Sequence, residues 1–498
     1  MEFKNEIVLT TINAKWIHPS LALRLLKANL GDLEKTCEII EFALRQPLCE
    51  KVEPLLSAGP RILGISVSIW NHTATIELLS SLEKQWTEKP VIVLGGPEVS
   101  HLPADAEIFK YADHVIRGEG EIAFRSLCER ILQKESHTDT QIYRERKEIK
   151  CAYYLYTDED VDKKLIYVES SRGCPFRCEF CLSAISDNKV HEFPLDEFLA
   201  EMDILINRGV KTFKFLDRSF NVNVDRSLKI IEFFLERIEK IKESSAFFAP
   251  RNAGSMRLCE NESRIPVVHF EMVPSIFPEK LRNALTRFPP DSLRLEIGIQ
   301  TLNAEAAANI HRPSNPEKEL EALRFLSEKT NAIIHADLIA GLPGEDLASF
   351  GSGFDRLWDA INAARKDQDD EIADNANRTR APQRSSPRFE IQVGILKLLP
   401  GAPISHHNKK FGMRYNSSPP YEIIETSAMN TTDLRRIKNF ARFWEVIVNR
   451  GLAEISEGCV FDKFMNVSDD LFACFGRNWG IDKNELKIML KRYPYLVF

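Results

Sequence analysis

Three of the ten cysteines stand within eight residues of one another, in the segment ESSRGCPFRCEFC, where Cys174, Cys178 and Cys181 have CxxxCxxC spacing. Three thiolates on one loop can bind three irons of a four-iron, four-sulfur cubane and leave the fourth iron without a protein ligand. Such an open metal position is where an external molecule can coordinate and react. A structural zinc ion is the competing reading, but it needs four ligands, usually as two close pairs, and the nearest further candidate is His191. The other seven cysteines (Cys37, Cys49, Cys128, Cys151, Cys259, Cys459 and Cys474) are scattered singly, which is no disulfide framework.

The elements around this loop must hold it at the end of a strand. LIYVESSRG, VKTFKFLD, VVHFEMV, LRLEIGIQ, NAIIHADLIAGLPGE and FEIQVGILKLLPG read as strands separated by helical stretches. Six strands in this alternation predict a partial (β/α)6 barrel of the TIM type over residues 161–400, with its chemistry at the carboxyl ends of the strands. Candidate residues at those ends are Asp217 and Ser219 in FLDRSFN, Glu296 and Gln300 on one face of EIGIQT, and Gly341 and Pro343 in DLIAGLPGE. Residues 363–388, almost without large apolar side chains, predict a mobile insertion before the sixth strand.

An earlier alternating series fills residues 1–134. EIVLTTI, CEIIEFAL, RILGISVSIW, VIVLGG and HVIRG predict a doubly wound, flavodoxin-like α/β sheet, in which ligands lie beyond the strand ends. Ser66, Ser68, Gly95, Gly96, Pro97, Gly118, Glu119 and Gly120 gather there, either as a ligand site or as tight turns. A charged linker spans 135–160, and the 401–498 region reads as a helical C-terminal domain.

The cysteine triplet, with the aromatic Phe180 before its third member, resembles the signature of the radical S-adenosylmethionine superfamily, and the resemblance covers about residues 160 to 400. It implies that the open iron chelates the amino and carboxyl groups of S-adenosylmethionine, and that one electron splits a carbon–sulfur bond to give methionine and a 5′-deoxyadenosyl radical. It also implies that Asp217 and Ser219 meet the methionine amino group, although the usual Gly-Gly-Glu is absent. Glu296 and Gln300 would address the ribose and carboxylate, and the backbone near Gly341 and Pro343 would lie against the adenine.

The N-terminal strands ILGISVSIWN, VIVLGGPEVS and HVIRGEGE in turn look like the cobalamin-binding domain that precedes many such barrels. The Asp-x-His-x-x-Gly motif is missing from the loop NAKWIHPS, so the resemblance implies cobalamin without His18 on cobalt. Two mechanisms fit these parts: methylation of an unactivated carbon, or a radical rearrangement or cyclisation assisted by cobalamin. A methylthiotransferase acting on transfer RNA and a non-enzymatic iron–sulfur sensor are the alternatives from other classes.

A small-molecule substrate is expected between the two domains, near Trp70, Asn71, Arg218, Asn221 and His269, with a flavodoxin or ferredoxin as electron donor. The net charge of −7 supplies no overall field for nucleic acid or anionic lipid. No apolar run approaches the ~18 residues of a membrane span, and a cytoplasmic location is expected.

Overall fold

The computed structural model describes residues 6–133, 149–185, 189–248, 265–374, 389–455 and 458–498. Two parallel sheets organise the chain. The first comprises β1 (Ile7–Asn13), β2 (Cys37–Ala43), β3 (Ile62–Ser66), β4 (Val91–Gly95) and β5 (His114–Val115), in the order β2-β1-β3-β4-β5. The order reverses between β1 and β3, which is the flavodoxin-like switch point expected from the alternation. Ile7, Val8, Leu9, Ile62, Leu63 and Ile92 are buried because helices cover both faces, as a continuous β-branched and leucine run requires.

The second sheet runs β6 (Ile166–Val168), β7 (Thr212–Phe215), β8 (Val267–Met272), β9 (Leu293–Gln300), β10 (Ile333–Ala340) and β11 (Phe389–Ile395), each paired in parallel with its sequence neighbour. Six strands whose outer two remain apart make a partial barrel. The alternation in β9 is strict: Leu293, Leu295, Ile297 and Ile299 are buried, while Arg294, Glu296, Gly298 and Gln300 take the other face. Register places Glu271 of β8 beside Glu296, Glu296 beside His335 of β10, and Gly298 beside Asp337. A TIM-type barrel normally fills its interior with branched apolar layers. Here the strands contribute charged and polar side chains to one face.

The predicted linker is only partly a connector. Its residues 134–148 lie outside the described residues, but Tyr153 and Tyr156 are buried, and Asp160 lies in the first turn of a short helix (Asp158–Lys163) capped by Thr157. Asp160 and Glu41 hold Arg24 of α1 (Leu21–Ala28) at 2.7 and 2.8 Å in a buried triad that ties the first sheet to the second. Of the predicted insertion, the first twelve residues continue the helix Leu347–Asp374. Residues 375–388 lie outside the described residues.

The C-terminal segment is mainly helical (Thr431–Trp444, Val460–Phe475 and Lys483–Leu490) with two small antiparallel pairs, Arg414–Tyr415 with Ile423–Glu425 and Glu454–Ile455 with Leu496–Val497. It has no core of its own. Phe440, Trp444, Phe461 and Phe464 join the barrel's hydrophobic core, and Phe354 from the helix before β11 stands 5.1 Å from the Phe440 ring and 4.8 Å from that of Trp444. Phe354→Ala should therefore cost about 3–5 kcal/mol, read as a lower denaturant midpoint with unchanged slope. A loss within about 0.5 kcal/mol would mean the aromatic cluster contributes no more than a surface contact does.

Candidate functional site

The cysteine loop begins at Gly173, whose backbone φ is +94° and whose missing Cβ would stand 2.1 Å from Lys189 O. No L-residue fits there, so the chain turns sharply out of the strand before Cys174. Two backbone bonds fix the loop: Glu179 N–H donates to Ile310 O at 3.1 Å, and Ile404 N–H donates to Glu179 O at 3.0 Å. Cys174, Cys178 and Cys181 thereby line one cavity of about 250 Å³ together with Phe180, Arg218, Glu271, Glu296, Gln300, Arg312 and Asp337. Burial pushes the Cys174 and Cys178 thiols up, and Arg312 opposes this at Cys178. A cation beside half-buried cysteines fits an anionic iron–sulfur cluster, as does a loop with three sulfurs facing one space. His191 instead lies on a short strand opposite Arg172 and does not line this cavity, so the zinc reading lacks its fourth ligand there.

Gln300 takes a positive φ of +67° where the register shifts between Gly298 and Gln300. Any Cβ on Gly298 would meet Gln300 Nε2 at 2.3 Å, so the glycine leaves room for that amide. Arg312 donates to Gly298 O from the other side. A non-glycine residue held in this region at a cavity wall is a strain usually retained for function.

The carboxylates of the cavity differ in charge. His269 and Lys214, 3.3 and 3.4 Å from Glu296 Oε2, hold its carboxyl down to about 2. Burial pushes Glu271 up to about 7 and Asp337 up to about 8, with the Glu296 charge adding to the effect at Asp337. Unfolded carboxyls titrate near about 4, so between there and about 8 the folded state binds more protons than the unfolded one. The contribution of both groups is complete below that window and is lost as pH rises through 7 to 8. Asp337→Asn should accordingly gain Tm relative to wild type progressively as pH rises from about 4 to about 8, and keep that gain above it. A Tm difference independent of pH would show that Asp337 is ionised throughout.

Other candidates lie elsewhere. Asp217 is 1% exposed and its carboxylate is saturated by Ser170 N–H at 2.9 Å and by the Ser170 and Ser171 hydroxyls at 2.6 Å each. It braces the strand before the cysteine loop and does not line the cysteine cavity. Ser219 lies with it around a separate cavity of about 120 Å³, although its hydroxyl also reaches Cys174. Gly341, at φ +90°, is required by packing: a Cβ would meet Ile423 Cγ2 at 2.7 Å. Pro343 gives its carbonyl to Asn309 at 3.0 Å, and neither residue lines the cysteine cavity. Asn71 and Asn221 are fully buried and spend their amides on backbone groups and on Thr11, while Trp70 donates to Ile12 O. His269 acts on the site through Glu296.

Beyond the ends of the first sheet lies a cavity of about 530 Å³, within the range of small-molecule sites. Ser66, Gly95, Gly96, Pro97, Gly118, Glu119 and Gly120 all line it, with Leu9, Gly64, Leu26 and Phe124. Ser68 does not; its N–H is taken by Asn71 Oδ1 at 2.8 Å. Gly64 is required because a Cβ would meet Leu9 and Phe124 at 2.7 and 3.0 Å, and Gly96 because one would meet Val67 O at 2.5 Å. An apolar, glycine-walled space of this size fits a large cofactor. His18 contributes nothing to it, since its Nδ1 is paired with Tyr167 OH at 2.8 Å. Arg218 lines both this cavity and that of the cysteines.

The model of the Radical SAM superfamily matches residues 168–357, and that of the B12 binding domain matches residues 7–128. The chain carries a radical SAM domain and a B12-binding domain. The chain is 26% identical over 196 residues to an uncharacterized methyltransferase of Pyrococcus horikoshii, covering 34% of the chain and 42% of that relative. It is 21% identical over 331 residues to the cobalamin-dependent radical SAM methyltransferase TokK of Streptomyces tokunonensis, covering 61% and 45%. It thus spans less than half the length of these curated relatives. Among solved structures, the cobalamin-dependent S-adenosylmethionine radical enzyme OxsB with aqua-cobalamin superposes at TM-score 0.62 and 16% identity, over 98% of this chain and 75% of that one. The radical S-adenosylmethionine methyltransferase TsrM of Kitasatospora setae gives 0.57 and 15%, over 84% and 80%. These likenesses bear out the fold class. Among the described residues, no helix is long and apolar enough to cross a membrane.

Sequence reasoning missed Glu271, Asp337 and Arg312. The first two were accessible from alternation in VVHFEM and IIHADLIA, which puts each on the inward face with a cross-strand acidic or polar neighbour. Arg312 follows a short helix in a loop and carried no local signal.

Proposed function

We propose that this protein is a cobalamin-dependent radical SAM methyltransferase that acts on an unactivated carbon of a small molecule. The observation that carries this reading is the shared wall: Arg218 borders both the three-cysteine cavity and the glycine-walled cavity. Cys174, Cys178 and Cys181 would hold a four-iron, four-sulfur cluster, and the loops at Gly95, Gly96 and Gly118 would hold cobalamin. When bound, these groups supply the electron that cleaves S-adenosylmethionine and the site from which a methyl group is delivered. The chain's own residues then set the surroundings. Glu296, kept ionised by Lys214 and His269, offers a hydrogen-bond acceptor for a sugar hydroxyl. Gln300 presents its amide beside the cysteines, and Glu271 and Asp337, protonated at neutral pH or near it, offer donors without adding full charge. Arg218, 64% exposed and 4.0 Å from Glu271, is free to orient a substrate between the cavities. A flavodoxin or ferredoxin would supply the electron.

The test is an anaerobic incubation of reconstituted protein with S-adenosylmethionine, reductant and extract of the source cells, with products followed by chromatography and mass. Methylation predicts S-adenosylhomocysteine together with 5′-deoxyadenosine, the former lost when cobalamin is withheld. 5′-Deoxyadenosine alone, with cobalamin present, would replace methylation by rearrangement or cyclisation. No turnover of S-adenosylmethionine would remove the enzymatic reading.

A further inference from the structure

Of the two residues between the second and third cysteines, Glu179 belongs to no function assigned above. Its carboxylate is buried, and imidazoles from two distant segments converge on it. Oε2 lies 2.6 Å from His407 Nε2 and 3.3 Å from His406 Nε2. Oε1 lies 2.5 Å from His311 Nδ1. The ligand atoms of Glu179, His406 and His407 all fall within 4.8 Å of one another, and none of the three residues lines the cysteine cavity.

We propose that Glu179, His406 and His407 form a binding site for a divalent ion of the zinc class, separate from the iron–sulfur cluster. Two imidazole nitrogens and one carboxylate oxygen are the donor set such ions take, and three protein ligands leave a fourth position for water. Tetrahedral zinc at about 2.0–2.1 Å holds its ligand atoms about 3.4 Å apart. The His406 distance already matches, and the His407 contact has to open by less than about 1 Å. His406 is half exposed, so the open position faces solvent and the ion has a way in. His311 has the role of an outer partner, holding the second carboxylate oxygen; the chain accepts a φ of +49° at this residue, in the left-handed region that non-glycine residues rarely adopt. Because His406 and His407 lie on the short helix Pro403–His407 beyond the barrel, the ion would pin the cysteine loop to the C-terminal segment, reinforcing the Ile404–Glu179 backbone bond.

The competing account is a cluster of histidine–carboxylate hydrogen bonds without metal, and the experiment separates the two. Full-length, cluster-reconstituted protein is dialysed with stoichiometric zinc chloride, and zinc and iron are quantified with zinc-edge X-ray absorption. We expect one zinc per chain with only nitrogen and oxygen neighbours at about 2.0–2.1 Å, and no sulfur at about 2.3 Å. His406→Gln, at an exposed position, should fold normally, keep its iron and lose zinc affinity by more than about 100-fold, whereas His311→Ala should lose about 10- to 100-fold as an outer partner. Cys174→Ala should keep the zinc while losing iron, which keeps this result independent of the proposed methyltransfer. Absence of zinc uptake, sulfur in the zinc shell, or equal affinity in His406→Gln would each overturn the proposal.

Discussion

Alanine at Cys174, Cys178 or Cys181 removes iron and sulfide from anaerobically reconstituted protein, while alanine at Cys474 leaves both in place. The contrast follows from position. Three sulfurs face one cavity from a loop that Gly173, Ile310 and Ile404 fix in shape, so losing any one leaves two anchors for a cluster that uses three. Cys474 is exposed on a C-terminal helix, and Cys128, buried against apolar neighbours with its thiol pushed far up, cannot offer a thiolate. Iron and sulfide analysis with visible absorbance reads the outcome. A triple variant at the motif that retains its iron would overturn the assignment of the loop.

The second large effect concerns the glycine-walled cavity, and the choice of glycine matters. Gly96→Val would force a Cβ against Val67 O, and any residue at Gly118 inherits a φ of +80°, so either change mixes strain with cavity filling. Gly95 is different: its φ is not in the positive region, and the nearest atom to a Cβ is Ile116 O at 3.8 Å. Gly95→Val should therefore fold with a Tm close to wild type and lose hydroxocobalamin binding in equilibrium dialysis, because the added methyl groups occupy the cavity that Gly95 lines. His18→Ala should bind it with an unchanged visible spectrum, since that imidazole is paired through Nδ1 with Tyr167 and does not line the cavity. Wild-type affinity in Gly95→Val would place the corrinoid elsewhere or nowhere on this domain.

The features legible in the sequence were those encoded by spacing and alternation. The cysteine triplet, the strand-end glycines and the strict pattern of β9 each repeat a local rule, and the structure gathers them around two cavities. Polar residues near strand ends were harder to assign, because the same types serve as braces. Asp217 sits two residues past its strand, where a ligand for S-adenosylmethionine would also sit, and the hydroxyls of two serines forty-six and forty-seven residues earlier both bond its Oδ1. Gly341 is expected to allow close approach to a cofactor, and the structure also brings Ile423, eighty-two residues away, against it. Such partners meet only through tertiary packing, and no local pattern announces them.

The aromatic cluster at Phe354, Phe440 and Trp444 bears on what counts as a unit of this protein. Chemistry divides the chain near residue 400, but the hydrophobic interior does not, and cooperative unfolding follows the interior. Barrel and tail should melt as one transition. A gene fragment that stopped at the end of the barrel would leave Phe354 and the helix around it facing water, so recombination has no clean place to cut there. The tail can drift in sequence only as far as the barrel's outer helices allow.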